Sequence, residues 1–168
     1  MEISNIHLGI NVKVDPSSSI NNVTLGNNVK IAKHCSVFGS PDHLLEIGDD
    51  SYIGMFSILN GFSASLKVGR NVSIAQNVNI MTDSGPNASP LMQNIYPIIK
   101  AAVIIEDHVW IGAGVVVAPG VTIGKCSVIG ANSYLCSNVE PYSLYAGNPA
   151  VFIKKINIPI SEDDRRKI

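Results

Sequence analysis

The sequence predicts an all-β chain that folds as a parallel β-helix of six-residue repeats. Aliphatic residues recur at a spacing of six through the second half of the chain, at Ile105, Ile111, Val117, Ile123, Ile129 and Leu135. Aromatic residues make up 6% of the chain while Val and Ile are abundant, a composition that favours strands. The strands of a sandwich would alternate with a period of two instead. Repetition at a fixed short period is typical of a solenoid.

Each repeat provides one short strand and one corner, and three repeats close a triangular coil. We expect the aliphatic residue to fill the corner from inside and the residue four positions later, such as Val109 or Val115, to pack a flat side. The residue after each aliphatic is often small, as at Gly112 and Gly124, which should let the backbone turn without a clash. Successive coils then stack through parallel strands.

The first half of the chain shows the same repeat in shorter registers. A weak register joins Leu8 to Val14. Three clearer ones have their aliphatic residues at Leu25, Ile31 and Val37, then Ile47, Ile53 and Leu59, then Val68, Ile74 and Ile80. A few extra residues separate the clearer registers, whereas about residues 81–102 form a long loop that leaves the prism. Loops inserted on a regular solenoid often carry function.

The chain divides into a β-helix over residues 1–156 and a tail over 157–168. Pro141, Gly147 and Pro149 end the repeat. The tail begins a helical pattern at Ser161, a candidate N-cap, with acidic residues in the first turn and basic residues in the last. We expect this short helix to cap the open end of the solenoid.

The bulk composition excludes several classes of protein. A net charge of −1 gives no basic field for nucleic acid or an anionic membrane. No apolar run reaches the ~18–20 residues of a membrane span, and the N-terminus does not resemble a signal peptide. Three cysteines without CxxC spacing argue against disulfides and a zinc site, which fits a cytoplasmic protein.

Four segments carry a resemblance to a known family. They are DHVWIGAG at 107–114, PGVTIG at 119–124, VIGANS at 128–133 and YAGNPA at 145–150. The chain resembles the hexapeptide-repeat acyltransferases, closest to the sugar O-acetyltransferases that act on galactosides and maltose and to the enzymes of polysaccharide clusters. The resemblance implies a left-handed β-helix, a homotrimer with active sites between subunits, and acetyl-coenzyme A as co-substrate. It also implies acetyl transfer to a hydroxyl of a sugar or glycan precursor, assisted by a general base.

The resemblance assigns a set of cofactor-binding positions. Ala113 and Ala131 match positions whose backbone contacts the pantetheine arm, and their separation of one full coil is an independent reason to pair them. Cys136 and Ser137 stand where the family often has a Thr-Lys pair that helps to bind the cofactor. Lys154 matches a basic position near the phosphates.

The long loop departs from the family pattern because it contains no histidine. Asp83 and Ser84 lie nearest to the position of the missing base. Asp83 can serve as the base if burial raises its pKa toward neutrality, or it can simply cap a turn. Ser84 can orient the acceptor or accept an acyl group. Trp110 and Asn87 are the expected acceptor-side residues.

The remaining candidates keep several functions open. His34 can supply an imidazole to a neighbouring subunit, while His43 is more typical of a turn and His108 of the surface. The histidines do not form the set of three that a gamma carbonic anhydrase needs, so no metal is expected. Two alternatives to O-acetylation stay open: N-acetylation of an amino sugar, and a β-helical binding or assembly protein that has lost its base.

Overall fold

A computed structural model describes residues 4–157, which form short strands and one short helix. The strands are β1 Ile6–Leu8, β2 Lys13–Val14, β3 Ser19–Asn21, β4 Val23–Leu25, β5 Lys30–Ile31, β6 Ser36–Phe38, β7 Leu45–Ile47, β8 Tyr52–Ile53, β9 Ile58–Asn60, β10 Leu66–Val68, β11 Ser73–Ile74, β12 Asn79–Met81, β13 Asp83–Ser84, β14 Ile99–Lys100, β15 Val103–Ile105, β16 Trp110–Ile111, β17 Val116–Val117, β18 Thr122–Ile123, β19 Val128–Ile129, β20 Tyr134–Leu135, β21 Ser143–Gly147 and β22 Ala150–Lys155. The helix is α1 Pro90–Ile95. It is too short to cross a membrane, and no other helix occurs in the described range. The predicted helix of the tail lies outside the described residues.

Three parallel sheets form the sides of a prism, which confirms the predicted left-handed β-helix. Sheet A contains β1, β4, β7, β10, β15 and β18 in spatial order. Sheet B contains β2, β5, β8, β11, β16, β19, β21 and β22, and sheet C contains β3, β6, β9, β12, β17 and β20. The chain visits the sheets in the order A, B, C and then repeats, so each coil adds one strand to every sheet.

The C-terminal coils have the regular length that the repeat predicts. Trp110 pairs with Val128, 18 positions later, and Val116 pairs with Tyr134 at the same separation. The six aliphatic residues of this region are 0–1% exposed, so each lies directly on its counterpart in the next coil. Complete burial of one such side chain stabilises the fold by about 1.5–3 kcal/mol. The stacked columns therefore form a continuous core.

The aliphatic residues occupy strands and not corners, which corrects the predicted placement. Ile111 ends β16, and the turn that follows is made by Ala113 and Gly114. Val115 then directs its side chain inward immediately after the turn and is also buried. The corner is therefore formed by the second and third residues after the aliphatic one.

The small residue after each aliphatic serves close stacking and not the turn. The positive φ angles fall two residues later, as at His108, Gly114 and Asn132. A Cβ atom on Gly112 would lie 2.7 Å from the backbone nitrogen of the next coil, and one on Gly124 would lie 2.5 Å from such a nitrogen. At Gly112 and Gly124 the adjacent coils therefore run too close for a side chain.

The C-terminal end closes with a hairpin that the sequence did not reveal. β21 still pairs in parallel with β19, and β22 then returns antiparallel to β21. β22 forms the outermost strand of sheet B, so this hairpin covers that edge of the solenoid. Lys155 donates to Glu140 over 2.6 Å and also to the Ser143 hydroxyl, which fixes the end of the hairpin.

Candidate functional site

All three large departures from the 18-residue coil occur at one corner, between sheets C and A. Val37 pairs with Leu59, 22 positions later. Ile58 pairs with Asn79 after 21 positions, and Asn79 pairs with Val116 after 37. The extra residues lie in the connections 39–44, 61–65 and 82–102, which we call the insertion corner. Insertions that collect on one side of a solenoid often mark its binding face.

The longest insertion is folded. Asp83 and Ser84 in β13 pair antiparallel with β14, and Ser89 caps α1 by accepting from the Met92 backbone N–H over 3.3 Å. The helix buries none of its side chains. Large apolar side chains of this loop are exposed: Leu91, Met92, Ile95, Tyr96 and Ile99. Such a surface is typical of a segment that packs against another molecule.

Asp83 lies at the base of the long loop and is held by the coil below. The Ser63 hydroxyl donates to Asp83 Oδ2 over 2.5 Å, and Asn60 Nδ2 lies 3.5 Å from Asp83 Oδ1. The Asn60 side chain also accepts from the Phe62 backbone N–H over 3.0 Å, while Thr82 donates to the Asn60 carbonyl over 3.0 Å. A carboxylate has about four lone-pair sites, so Asp83 keeps acceptor capacity for a ligand.

Asp83 is therefore more than a residue that caps its own turn, because its partners come from a different coil. Sequence reasoning missed Ser63 and Asn60. A signal did exist, since each short register of three aliphatic residues fills one coil. All three register breaks therefore follow the third strand, and they meet at one corner.

Ser84 and Asn87 are exposed on the same loop, away from this group of hydrogen bonds. The Ser84 hydroxyl has no hydrogen-bond partner among residues 4–157, so no base activates it there. The Asn87 backbone N–H donates to the Gly85 carbonyl over 3.0 Å. The acceptor-side role of Asn87 stays a prediction.

Trp110 lies on the outer face of sheet B and is 56% exposed. Its outward direction is confirmed, but it belongs to strand β16 and not to a corner. It stands in one cross-strand row with Ser73 below and Val128 above. The small Ser73 leaves one face of the indole open to a ligand or to another subunit.

Ala113 and Ala131 lie one above the other at the corner between sheets B and C, which confirms the stacking inferred from their spacing. The Asn132 N–H donates to the Ala113 carbonyl over 2.8 Å. The backbone N–H groups of Ala113 and Ala131 donate no hydrogen bond within residues 4–157. The sequence indicates these free N–H groups, because the side chains of Ala113 and Ala131 are methyl groups and accept no hydrogen bond.

The corner between sheets A and B behaves differently. There the equivalent N–H groups are paired with acidic side chains, the Arg70 N–H with Asp107 and the Lys125 N–H with Glu106, each over 2.7 Å. The free donors at Ala113 and Ala131 therefore fit a thin ligand with amide carbonyls, such as a pantetheine arm. These two corners have the same backbone form, so the difference lies in the side chains.

The other predicted cofactor residues lie beyond this corner. Cys136 and Ser137 are exposed in the last connection before β21, and the Cys136 thiol is free. Lys154 is exposed in β22 and has no ion-pair partner among residues 4–157, so its charge is available to a phosphate. The adjacent Lys155 is engaged by Glu140 and lowers the pKa of that carboxyl.

No histidine of residues 4–157 donates a hydrogen bond to the Asp83 side chain, whose partners are Ser63 and Asn60. The His34 ring stacks on Phe56 with centroids 5.1 Å apart, at the corner between sheets B and C. His43 is exposed in a turn closed by hydrogen bonds between its backbone and Ser40. His108 occupies a turn with φ of 60°. Within the described part of the chain, no three His, Cys, Asp or Glu side chains could hold a metal ion.

Comparison with known proteins finds acyltransferases that are similar to this chain. The family model for the bacterial transferase hexapeptide of six repeats matches residues 102–137. Galactoside O-acetyltransferase from Escherichia coli K12 is 33% identical over 80% of this chain and 64% of its own length. The dTDP-4-amino-4,6-dideoxy-D-glucose acyltransferase of Escherichia coli is 29% identical over 95% of this chain and 83% of its own length. The chain spans between about a third and just over half of the length of several other curated relatives.

A solved structure extends the similarity over almost the whole chain. It is AntD, an N-acyltransferase from Bacillus cereus, in complex with dTDP and 3-hydroxybutyryl-CoA. It superposes with a TM-score of 0.79 and 26% identity, over 89% of this chain and 82% of AntD. A serine-to-alanine variant of AntD, in complex with dTDP-4-amino-4,6-dideoxyglucose and coenzyme A, gives a TM-score of 0.82 over 96% and 89%. The repeat, the fold and these similarities together show a hexapeptide-repeat chain that resembles the hexapeptide acyltransferases.

Proposed function

We propose that the protein transfers an acyl group from acetyl-coenzyme A, or a closely related thioester, to the amino group of a nucleotide-linked sugar. The observation that carries this proposal is the insertion corner, where a carboxylate held by a serine replaces the histidine that the loop lacks. The similarity to AntD and to the E. coli dTDP-amino-sugar acyltransferase supports an amine acceptor.

An amine needs less help from a base than a hydroxyl does. A hydroxyl must lose its proton as it attacks, and enzymes most often use histidine for this step. An amine near neutral pH has a neutral, nucleophilic fraction, because an amino group next to electron-withdrawing neighbours has a pKa of about 8. A carboxylate at Asp83 is then enough to orient the nitrogen and to accept the proton that it loses.

The proposed reaction has simple stoichiometry. The C–N bond of the amide forms as the C–S bond of the thioester breaks. The proton leaves the nitrogen for the Asp83 carboxylate and passes on to the departing thiolate. Ser63 keeps one carboxylate oxygen in place, so the other faces the acceptor. Ser84 has no such partner and is assigned no catalytic role.

The corner at Ala113 and Ala131 is the proposed position of the coenzyme A arm. The two free N–H groups are about 4.8 Å apart, the spacing of neighbouring strands, and can bind amide carbonyls of the pantetheine chain. Lys154 stays a predicted contact with the phosphates, and Cys136 and Ser137 stay predicted contacts with the cofactor. No metal is part of this proposal.

We further propose that the active protein is a homotrimer in which the long loop of one subunit packs on the next. The exposed apolar side chains of α1 and its flanks support this contact, as does the exposed Trp110. The cytoplasmic location stays a prediction from cysteine usage.

O-Acetylation is the second candidate. The 33% identity to a galactoside O-acetyltransferase favours it, and His34 of a neighbouring subunit would then be the candidate base. An ester product would identify this reaction, because hydroxylamine cleaves an ester readily and an amide hardly at all.

The test measures thiol release from acetyl-coenzyme A with dTDP-4-amino-4,6-dideoxyglucose and, separately, with galactosides and maltose. We expect turnover with the amine and an amide product by mass spectrometry. Asp83→Asn should lower kcat/KM about a hundredfold, a typical effect of losing a general base. Asp42→Asn, an exposed carboxylate of the same insertion corner, is the matched control and should match the parent.

Three other results would decide against this scheme. Parental turnover by Asp83→Asn would remove Asp83 from the mechanism. Binding of acetyl-coenzyme A without turnover on any acceptor would favour a binding or assembly protein. An absence of acetyl-coenzyme A binding in calorimetry would overturn the acyltransferase proposal itself.

A further inference from the structure

A pocket of about 300 Å³ lies beside the insertion corner, one to three coils below Asp83. Its lining comprises Ser19, Asn21, Asn22, Ser36, Phe38 and Phe62. None of these side chains is charged. Two aromatic rings with amides and hydroxyls around them suit a neutral, planar, hydrogen-bonding ring and do not suit a phosphate group.

Both aromatic residues belong to the irregular part of the fold. Phe38 is the last residue of β6, directly before the first insertion, and Phe62 lies within the second. Phe62 is 58% exposed and lines the pocket together with Phe38. The insertions therefore hold an aromatic ring out over the pocket, where a planar ligand can stack on it.

The pocket also offers a polar donor. Asn22 is 6% exposed and its Oδ1 accepts from Asn5 Nδ2 over 2.8 Å. The Asn22 amide N–H₂ has no acceptor within residues 4–157. An unpaired donor of this kind matches a ring carbonyl, a group that most nucleobases carry.

Asn60 links the pocket to Asp83. Asn21, Phe38 and Asn60 form one cross-strand row on sheet C. Asn60 accepts from the Phe62 N–H and its amide nitrogen reaches toward Asp83. Phe38 lies two strands below β12, or about 10 Å at the usual strand spacing. A diphosphate bridge and a ribose can cover this separation between a reacting sugar at Asp83 and a base in the pocket.

We infer that this pocket binds the nucleobase of the acceptor and so selects a nucleotide-linked sugar over a free one. The inference rests on the proposed function for the identity of the acceptor, but its binding test is independent of turnover. Phe62 is a specificity-determining residue in this scheme, since it touches the base and not the reacting atoms.

The experiment is calorimetric titration of the full chain with dTDP, with acetyl-coenzyme A titrated in parallel. Phe62→Ala should weaken dTDP binding about tenfold, because stacking of one base on an aromatic side chain accounts for changes of this size. Phe62→Tyr should restore it. Phe56→Ala removes an equally exposed ring, 53% accessible, at another corner and should bind dTDP like the parent. Acetyl-coenzyme A affinity should be the same in all four proteins.

The kinetic arm separates this inference from the proposed function. With the nucleotide-linked amine, Phe62→Ala should raise KM about tenfold and leave kcat at saturation near the parental value. Tight dTDP binding that Phe62→Ala weakens, without acyl transfer to any acceptor, would support the pocket and overturn the proposed function. Acyl transfer by a parent chain that does not bind dTDP would overturn the pocket alone.

Two further outcomes would also overturn the pocket. One is parental dTDP affinity in Phe62→Ala. The other is a fall in the oligomeric mass of Phe62→Ala, measured by light scattering, with dTDP affinity retained, which would mean that a second copy of the chain covers this surface.

Discussion

The regular coils and the insertion corner follow different rules. In residues 105–135 every sixth residue is a buried aliphatic, each coil has 18 residues, and the structure repeats. At the insertion corner the coil length changes three times, aromatic side chains are exposed, and a carboxylate is held by partners from another coil. The regular coils supply a rigid frame, while the candidate chemistry lies where the repeat is interrupted.

The first prediction tests whether the close approach of stacked coils excludes a side chain at Gly112. Gly112→Ala should destabilise the protein by about 1–3 kcal/mol, because its Cβ would lie 2.7 Å from a backbone nitrogen of the next coil and the coils would have to separate. Urea denaturation followed by circular dichroism measures this, with Gly147→Ala at the exposed end of the hairpin as the comparison.

Close stacking and turn formation predict different outcomes for Gly112→Ala. Gly112 has no positive φ, so if glycine were there only to let the chain turn, alanine would be accepted. Parental stability of Gly112→Ala would therefore contradict the stacking explanation. Gly147 has φ of 111°, and its substitution should destabilise through backbone strain instead.

The regular coils could be predicted from the sequence because one pattern is repeated many times. Six aliphatic residues at exact spacing specify strand length, coil length and core together. The C-terminal hairpin was missed since β22 occurs once and is set by pairing with β21. The aliphatic residues were wrongly assigned to the corners, because spacing alone does not tell which of the six positions of a repeat lies in the strand.

The insertion corner was only partly predictable. Asp83 was identified from its place in the long loop. Its partner Ser63 lies 20 positions earlier and approaches only when the coils stack. Phe38 and Phe62 have no repeat to explain them, and in the sequence they look like ordinary apolar residues. Contacts between coils at an irregular corner depend on loop conformation, which periodicity does not encode.

The second prediction compares two serines of the insertion corner, Ser63 and Ser84. Ser63→Ala should lower kcat/KM about tenfold, because Asp83 loses the 2.5 Å hydrogen bond that positions it. Ser84→Ala, which removes an exposed hydroxyl without a partner, should have parental activity. Thiol release from acetyl-coenzyme A with the amine acceptor measures both.

Ser63 is a positioning residue, so a conservative replacement should recover the function. Ser63→Thr keeps the hydroxyl and should restore most of the activity, while the thermal stability of all three variants stays close to that of the parent. A loss of activity in Ser84→Ala that equals or exceeds that of Ser63→Ala would return the catalytic role to Ser84.

The smallest expected effect concerns a charge in the regular coils. Asp107 accepts from both the backbone N–H and the guanidinium of Arg70, each over 2.7 Å. Partial burial by itself raises the pKa of Asp107, but the two kinds of hydrogen bond from Arg70 outweigh it and the net pKa is lowered. Since the folded form has the lower pKa, this contribution to stability is complete above the unfolded pKa of about 4 and is lost as the pH falls through the folded pKa.

Asp107→Asn keeps an oxygen for the backbone N–H and removes only the charge. At pH 7 it should destabilise the protein by about 0.2–1 kcal/mol, since Arg70 is largely exposed and the ion pair is screened by solvent. The difference from the parent should shrink as the pH falls below about 4 and should disappear once Asp107 is protonated in the folded protein, because both proteins then carry a neutral group. Urea denaturation at a series of pH values measures it. A difference that stays constant over the whole pH series would mean that the charge of Asp107 contributes nothing to stability, and that its hydrogen bond to the Arg70 backbone N–H is the whole of its effect.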